Sequence, residues 1–401
     1  MYNIESNTLK TMLDAVSRAS STSHPVYAVV SIKTAAGHIS ISAFNGEFGI
    51  EARTSILGDG EMSVCVNAAT FHDIAGTISG RVSLGIDPKT PKKLKVESGS
   101  SKNTLNITDN EAFPAIDSNL STQIIILTGN LLKSIGRVLP FTSSDEARPT
   151  LQGVMLCLTP NTLDAYAADG FTSAWVSDHI THGPEKAKNI LLPAKFLREL
   201  LRLVGSDDQV LVKVVDEKRC IFHVSNAKGK ELILTSPTID GNFPLEGIKG
   251  LYAGESSPAR ITANVSKAAL STAIRQVSAM GTQNMFMRAL NGVMHTASPE
   301  TEIGQAHNTL TSAVLGDFKL WVRADYVLRA IESFDVEVQM TFVNAKSPLY
   351  FNGGSFKSMV MPIEANLPEP VFDNLAQETM SLEAPATEIP INDVKTELVA
   401  A

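Results

Sequence analysis

The sequence predicts an α+β protein made of three repeated domains, each an antiparallel sheet with two helices on one face. Two observations predict this fold class: a pair of amphipathic helices recurs three times in the same order, and period-two strand patterns lie between the helices. Helices segregated to one face of an antiparallel sheet define an α+β architecture. One domain type used three times therefore accounts for most of the 401 residues.

The first recurring helix is clearest in NLLKSIGRVL, from Asn130 to Leu139. Its apolar residues are spaced at i, i+4 and i+7, which places them along one stripe of a helix. Its cations, Lys133 and Arg137, project from the opposite side. The stripes of the three copies are Leu9, Leu13 and Val16; Leu131, Ile135 and Val138; and Leu270, Ile274 and Val277.

The second recurring helix follows a short apolar strand in each copy, and the copies align when Ala68, Ala194 and Ala324 are set level. The three stripes are then Phe71, Ile74 and Ile78; Leu197, Leu200 and Val204; and Val327, Ala330 and Phe334. Two different helices in the same order three times indicate a repeat of the whole domain.

Between the helices, apolar residues alternate as in strands with one buried face, for example at Val210, Val212 and Val214. We predict domains at residues 1–122, 123–256 and 257–367. The third domain is shorter, and few clear strand runs follow Val277, so we expect it to have lost at least one strand. Residues 368–401 are rich in Pro, Ala and acidic residues, and we predict a disordered tail there.

Composition indicates an ordinary globular protein. No apolar run approaches the ~20 residues that span a bilayer, and the N-terminus lacks the apolar core of a signal peptide. We therefore expect a cytoplasmic protein that has no membrane partner. Cys65, Cys157 and Cys220 lie in apolar strand-like runs, which predicts buried, reduced thiols without metal-ligand spacing.

Charge is distributed unevenly, although the chain has a net charge of −8. The tail from Pro368 has a net charge of −6, whereas the six repeated helices together have +6. Lys and Arg on helix faces, without interleaved aromatic residues, suit phosphate contact without base discrimination. The predicted DNA-facing cations are Lys10, Arg18, Lys133, Arg137, Lys195, Arg198, Arg202, Lys267, Arg275 and Arg329. A solvated helix face is the simpler interpretation for any single helix.

Four segments resemble the bacterial DNA polymerase III beta subunit, the beta sliding clamp family. They are DEARPTLQGV at 145–154, AADG at 167–170, DGNFP at 240–244 and MVMP at 359–362, and the resemblance covers about residues 1–366. It implies the DNA clamp fold, with three domains forming a half-ring, and a processivity factor in DNA replication. Two subunits join head to tail, and their helices surround duplex DNA without sequence preference.

The resemblance also implies a groove for partner peptides between the second and third domains. Matched residue by residue, the groove uses Leu151, Gly153, Ala168, Gly170, Phe171, Thr172, Ser173, Pro244, Ile248, Ser347, Met359, Met361, Pro362 and Ile363. Exposed Met and Leu suit short linear motifs, because Met adapts to different partners. The implied partners are a clamp loader, the DNA polymerase III catalytic subunit and other proteins with clamp-binding motifs, at the nucleoid.

Some family positions differ here. The basic and leucine positions after the ADG turn are Thr172 and Ser173, and an arginine near the C-terminus is Glu364. A DNA-contacting arginine appears as His24, which is mostly neutral at pH 7. The implied dimer interface pairs Lys102 and Leu105 with Ala279 and Met280.

Residues 377–382 of the tail, QETMSL, resemble the Gln-x-x-Leu/Met-x-Leu/Phe peptides that enter such a groove. We hypothesise that the tail occupies the groove of its own or the neighbouring subunit. Unchanged affinity for a partner peptide after deletion of residues 368–401 would refute this idea.

Two other function classes compete with the clamp. A non-encircling scaffold on the same fold is compatible with a degraded third domain. A hydrolase could use carboxylates and histidines around Asp169, but no phosphate-binding, zinc-protease or nucleophile-elbow motif occurs in the chain. The cluster of Asp178, His179 and His182 lacks further ligands at metal spacing, so we expect no metal, no cofactor and no catalysis.

Overall fold

The computed structural model describes residues 1–58, 60–108, 113–114, 125–215, 218–290, 292–364 and 367–370. Within these residues, no helix has the length and apolar character needed to cross a membrane. The predicted tail beyond residue 370, with the segment 377–382, lies outside the described residues, as does the predicted first boundary at residue 122.

A strand, a helix and three further strands form a unit that occurs six times along the chain. In the first domain the strands are β1 Tyr2–Glu5, β2 Val29–Ala35, β3 His38–Phe44, β4 Gly49–Ser55, β5 Met62–Asn67, β6 Arg81–Asp87, β7 Thr90–Ser98 and β8 Ser101–Asn106, and the helices are α1 Ser6–Val16 and α2 Ala68–Thr77.

The second domain repeats this order. Its strands are β9 Ile125–Thr128, β10 Gly153–Leu158, β11 Thr162–Ala168, β12 Thr172–His179, β13 Lys188–Pro193, β14 Gln209–Val215, β15 Arg219–Ser225 and β16 Glu231–Pro237, and its helices are α3 Gly129–Gly136 and α4 Ala194–Leu203. Helix α5, Leu245–Ala253, leads into the third domain.

The third domain has the same order again. Its strands are β17 Ile261–Ser266, β18 Asn284–Leu290, β19 Val293–Ala297, β20 His307–Leu315, β21 Phe318–Arg323, β22 Glu337–Phe342, β23 Leu349–Gly353 and β24 Phe356–Val360, and its helices are α6 Lys267–Ala279 and α7 Ala324–Glu332.

The two units of each domain exchange their first strands. Strand β5 pairs with β2, and β1 pairs with β6; the same exchange occurs for β9 and β13 with β14 and β10, and for β17 and β21 with β22 and β18. Each domain therefore contains two four-stranded antiparallel groups, where the sequence alone predicted one sheet. The α+β prediction is confirmed.

Neighbouring domains are joined through the last strands of their units. Strand β4 pairs antiparallel with β16 along Gly49↔Thr235, and β12 pairs antiparallel with β24 along Thr172↔Val360. These ladders merge the four-stranded groups into an eight-stranded sheet and a twelve-stranded sheet. Backbone hydrogen bonds thus cross both junctions between domains.

The expected loss of a strand in the third domain is wrong, because all eight strands are present. Strand β18 escaped sequence analysis since Met285, Phe286 and Met287 are all buried in succession. A strand covered on both faces has no apolar alternation, so period-two analysis does not detect it. The domain boundaries near 122 and 256 remain proposals.

The apolar stripes of the helices lie where the repeat places them, with one shift. In α1 and α6 the predicted stripes are fully buried. In α3 the buried residues are Leu132 and Ile135, whereas Leu131 is partly exposed. That helix ends at Gly136, and a single 3₁₀ turn that contains Pro140 follows. Proline has no N–H to continue an α-helix, which explains the early end.

The three cysteines are free thiols, as predicted. Cys65 and Cys220 are buried and Cys157 is half-buried. Burial raises the pKa of Cys157 to about 11 and that of Cys220 to about 12. These thiols are therefore protonated at neutral pH, which makes them poor nucleophiles.

The start of α3 tests the packing within the second domain. An added Cβ at Gly129 would lie 1.8 Å from the carbonyl oxygen of Gly205. We expect Gly129→Ala to lower the free energy of unfolding by about 1–3 kcal/mol, because a backbone atom cannot move aside cheaply. Gly76→Ala in α2 is the control, since nothing lies within 4 Å of its added Cβ. Equal midpoints for the two variants in urea denaturation would contradict this packing.

Candidate functional site

The six repeated helices form one row through contacts between their ends. Helix α1 packs on α2, α3 on α4, and α6 on α7. Arg18, in the turn after α1, lies 3.0 Å from Glu199 of α4 through Nη1 and Oε2. Arg137, at the end of α3, donates from Nη2 to the Ser333 carbonyl at the end of α7, at 2.9 Å. The order across the row is therefore α2, α1, α4, α3, α7, α6.

Four predicted cations are exposed in this row and have no carboxylate partner among the ion pairs of the described residues. Lys133 Nζ donates to Ser206 Oγ at 2.6 Å, and Arg198 Nη2 donates to Thr142 Oγ1 at 3.2 Å. The four are Lys10, Lys133, Arg198 and Arg275. A neutral oxygen does not cancel the charge, so these groups keep a positive potential on the row.

Three further cations have carboxylate partners at the surface. Arg18 and Arg202 share the single carboxylate of Glu199, so this group of three has a net charge of +1. Lys195 Nζ lies 2.8 Å from Glu47 Oε1 of the β3–β4 hairpin. Exposed pairs of this kind stabilise by only about 0–1 kcal/mol, so a phosphate can compete for the cation.

Two predicted DNA-facing cations instead hold the protein together. Arg137 lies with Cζ 4.3 Å from the ring centroid of Phe356, and burial lowers its pKa although Asp335 and Asp178 oppose that change. Lys267 Nζ donates to the carbonyls of Glu332 and Phe334 at the end of α7. A cation at those carbonyls stabilises the C-terminus of the helix.

Arg329 is also occupied within the protein. Its Nη2 lies 2.7 Å from Asp169 Oδ2, and its Nη1 donates to the Pro140 carbonyl at 3.0 Å. Its Cζ lies 5.1 Å from the Tyr326 ring centroid and 5.7 Å from that of Phe141. This guanidinium joins α7 to the second domain and is not directed at a DNA ligand.

His24 is exposed at the start of a short 3₁₀ helix, where its Nδ1 accepts from the Val26 N–H at 3.3 Å. A neutral ring that accepts through Nδ1 has its proton on Nε2. The side chain can therefore donate one hydrogen bond to a phosphate but contributes no charge in that form.

A cavity of about 460 Å³ lies at the junction of the second and third domains. Most of the predicted peptide-groove residues line it, together with two that were not predicted, Gly247 and Leu251. Its lining residues are Leu151, Ala168, Gly170, Phe171, Thr172, Ser173, Pro244, Gly247, Ile248, Leu251, Met359 and Met361. Two of its apolar side chains, Phe171 and Leu251, are 52% and 39% exposed.

The β11–β12 hairpin forms one wall of this groove. Asp169 Oδ1 accepts from the Phe171 and Thr172 N–H groups at 2.8 and 2.7 Å, and Gly170 has a φ of +98°. The Phe171 carbonyl accepts from the Met361 N–H at 2.8 Å, which joins the hairpin to the end of β24. Both walls of the groove are thus fixed through one turn.

Helix α5 forms the opposite wall, and sequence analysis missed it because the segment after Pro244 was interpreted as a polar connector. Leu245, Ile248 and Tyr252 are buried on its inner side. Their i, i+3, i+7 spacing is a helical signal that could have identified Gly247 and Leu251 as groove residues. The Tyr350 hydroxyl donates to the Leu251 carbonyl at 2.7 Å and holds the helix in place.

Four predicted groove residues do not line this cavity. The Ile363 N–H donates to the Trp321 carbonyl at 2.9 Å, and its side chain packs with Phe286 and Trp321 away from the groove. The others are Gly153 at the start of β10, Ser347 in the turn before β23 and Pro362 directly after Met361.

The groove contains hydroxyl groups where the resemblance implies a basic residue and a leucine. Thr172 and Ser173 are 3% and 1% exposed, and neither hydroxyl has a hydrogen-bond partner among the described residues. Ser173 lies beside Tyr252, whose pKa burial raises and Ser173 lowers in part. These groups make the groove wall more polar than leucine would.

The predicted dimer-interface residues lie in two regions of the subunit. Lys102 is exposed on β8, and Leu105 of the same strand is buried in the first domain. Ala279 ends α6 and Met280 follows it, and α6 packs on β19 and β20 of the third domain. Both regions therefore adjoin strands at the ends of the subunit's sheets.

The carboxylates considered for catalysis have structural partners. Asp169 is bound by two backbone N–H groups and Arg329, and Asp145 Oδ2 lies 2.8 Å from Arg148 Nε. In the described parts of the chain, no group of three His, Cys, Asp or Glu side chains could hold a metal ion. His182 Nδ1 lies 2.9 Å from the hydroxyl of Thr181.

Comparison with known proteins agrees with this architecture. The sequence model of the DNA polymerase III beta subunit central domain matches residues 126–245. The beta sliding clamp of Synechococcus elongatus is 24% identical over 381 residues, which cover 89% of this chain and 97% of the relative. The chain belongs to the DNA polymerase III beta subunit family. The corresponding protein of Halalkalibacterium halodurans is 24% identical over 353 residues, which cover 83% of this chain and 90% of the relative.

Solved structures show the same fold. The DNA polymerase sliding clamp from Bacillus subtilis superimposes with a TM-score of 0.82 at 18% identity, and covers 91% of this chain and 99% of that chain. The sliding clamp from Pseudomonas aeruginosa with ligand gives 0.81 at 19% identity, and covers 91% and 100%. Membership in this family makes the chain a non-catalytic protein, so the hydrolase hypothesis is wrong.

Proposed function

We propose that the protein is a DNA sliding clamp that closes as a head-to-tail homodimer around duplex DNA and binds partner peptides in the groove at the second junction. The pairing of last strands between domains carries the proposal, because the same rule applied once more joins one subunit to the next. The helix row then supplies cations to the enclosed duplex.

The pairing rule concerns the fourth strand of each unit. Strand β4 of the first unit pairs with β16 of the fourth, and β12 of the third pairs with β24 of the sixth. The corresponding strands left over are β20 of the fifth unit and β8 of the second. Strand β8 ends its sheet, and residues 307–311 of β20 pair only with β19. Two such edges on opposite ends of one chain give a heterologous contact, which forms a ring if its rotation closes.

The register of this contact follows from the junction between β12 and β24. The β23–β24 and β7–β8 hairpins both have two-residue turns, which aligns Phe356 with Ser101. The pairing Ala174↔Ser358 then corresponds to Asn308↔Asn103 of the partner subunit. Asn308 Nδ2 is buried and has no partner among the described residues of its own subunit. A facing amide from the partner subunit would satisfy it, since amides both donate and accept.

The DNA contact is electrostatic in this proposal. Lys10, Lys133, Arg198 and Arg275 are exposed in the helix row, and the shared pairs of Arg18, Arg202 and Lys195 exchange readily. Arg137, Lys267 and Arg329 are left out, because their charges are used between secondary-structure elements. Weak phosphate contacts that exchange easily allow the ring to slide while topology prevents its release.

The groove gives the proposal its protein partners. An apolar cavity with Met359, Met361 and exposed Phe171 suits short motifs with aliphatic or aromatic anchors. We propose that the polymerase catalytic subunit and the clamp loader bind there, at the replisome. The non-encircling scaffold loses its support, because the third domain has its full set of strands.

Charge substitutions at one residue pair test the ring interface. We expect Asn103→Asp with Asn308→Asp to give a monomer, because two carboxylates would face each other in each interface. Asn103→Lys with Asn308→Asp places opposite charges there and should give a dimer, as measured by sedimentation equilibrium. Dimerisation of the Asp/Asp variant as tight as that of the wild type would contradict the proposed register.

Single substitutions in the helix row test the DNA contact. Lys133→Ala, Arg198→Ala and Arg275→Ala should each weaken binding to a short duplex equally for all sequences. Each should reduce the slope of log K against log salt by about one, because one phosphate contact is lost. Lys249→Ala is the matched control, since Lys249 is an exposed lysine of α5, outside the row. Fluorescence anisotropy that shows the same loss for Lys249→Ala would contradict this assignment.

A further inference from the structure

The groove wall formed by the β11–β12 hairpin depends on a side chain from the third domain. Arg329 of α7 is 23% exposed in its side chain and Asp169 of the hairpin is 14% exposed. Their 2.7 Å contact is therefore largely shielded from water. A charge-assisted hydrogen bond in such a place is stronger than an exposed ion pair.

The two oxygens of Asp169 have separate tasks. Oδ1 accepts from the N–H groups of Phe171 and Thr172, which fixes the turn, and Oδ2 accepts from Arg329. Rotation of the carboxylate toward solvent would break all three hydrogen bonds together. The guanidinium is fixed in turn by the Pro140 carbonyl at 3.0 Å.

The turn that Asp169 fixes contributes directly to the groove. Gly170, Phe171, Thr172 and Ser173 all line the cavity. The Phe171 carbonyl also holds the Met361 N–H, so a shift of the turn moves both walls. Outside the groove, Phe171 stacks on Tyr326 of α7 with ring centroids 6.0 Å apart.

We propose that Arg329 is a positioning residue for partner binding: through Asp169 it sets the shape of the peptide groove from the helix row. Arg329 touches no partner in this role and acts through the turn. The inference rests on the proposed function of the groove. It reassigns to the groove a cation that the sequence predicted for DNA.

A thermodynamic cycle in peptide affinity tests the proposal. The probe is a fluorescein-labelled hexapeptide, Gln-Ala-Ser-Leu-Ala-Leu, and its Kd is measured by anisotropy for wild type, Arg329→Gln, Asp169→Asn and the double variant. Each single variant should weaken binding by about tenfold, and the double variant should be no weaker than the worse single one, because both act through one contact. Arg329→Lys keeps the charge and should restore part of the affinity.

Arg323→Gln is the matched control. Arg323 directly precedes α7, its Cζ lies 4.9 Å from the same Tyr326 ring, and its carboxylate partner is Asp325 of that helix. It lacks the contact to the hairpin, so its variant should bind the probe as the wild type does. Dimerisation and DNA affinity should be unchanged in every variant, which separates a groove effect from general damage.

The outcomes distinguish this inference from the proposed function. Equal affinity of Arg329→Gln and wild type, or losses that multiply in the double variant, would overturn the role of Arg329 alone. A wild-type protein that dimerises and binds DNA but never binds the probe would overturn the groove function and this inference together. If Arg329→Gln does not fold, Asp169→Asn against Arg323→Gln makes the same comparison.

Discussion

Antiparallel pairing between the last strands of successive units is the constraint on which the rest of the structure depends. Strands β4 and β16, and β12 and β24, join domains by backbone hydrogen bonds rather than by side-chain packing alone. A backbone ladder fixes both the register and the angle between domains, because each residue pair has a defined position. It also uses a strand edge at each junction that would otherwise be exposed.

The functional surfaces follow from these junctions. The groove lies where the β11–β12 hairpin meets the end of β24, so joining the domains also creates the cavity. The helices are joined between domains by Arg18 with Glu199 and by Arg137 with Ser333. Arg329 connects the two surfaces, since it extends from a helix of the row to the turn that shapes the groove. Charge in the row thus serves both the enclosed ligand and the architecture.

The repeat and its helices could be predicted from sequence because their apolar spacing is local. The fully buried strand β18 could not, since Met285 and Phe286 are buried on opposite faces and leave no alternation. The exchange of first strands between units is equally hidden, because it is a long-range pairing without a local signal. The roles of Lys267 and Arg329 were misjudged for a related reason: sequence shows that a helix face has a cation, but not which carbonyl or carboxylate lies next to it.

The central claim is that two subunits close around DNA, and its most direct measurement is retention on DNA of different topology. Protein assembled on a nicked circular plasmid by a clamp loader with ATP would be separated from free protein by gel filtration. The account predicts that it elutes with the circle as a dimer and is released when a restriction enzyme linearises the plasmid. Equal retention on linear and circular DNA, or a protein that stays monomeric and never elutes with the circle, would contradict it.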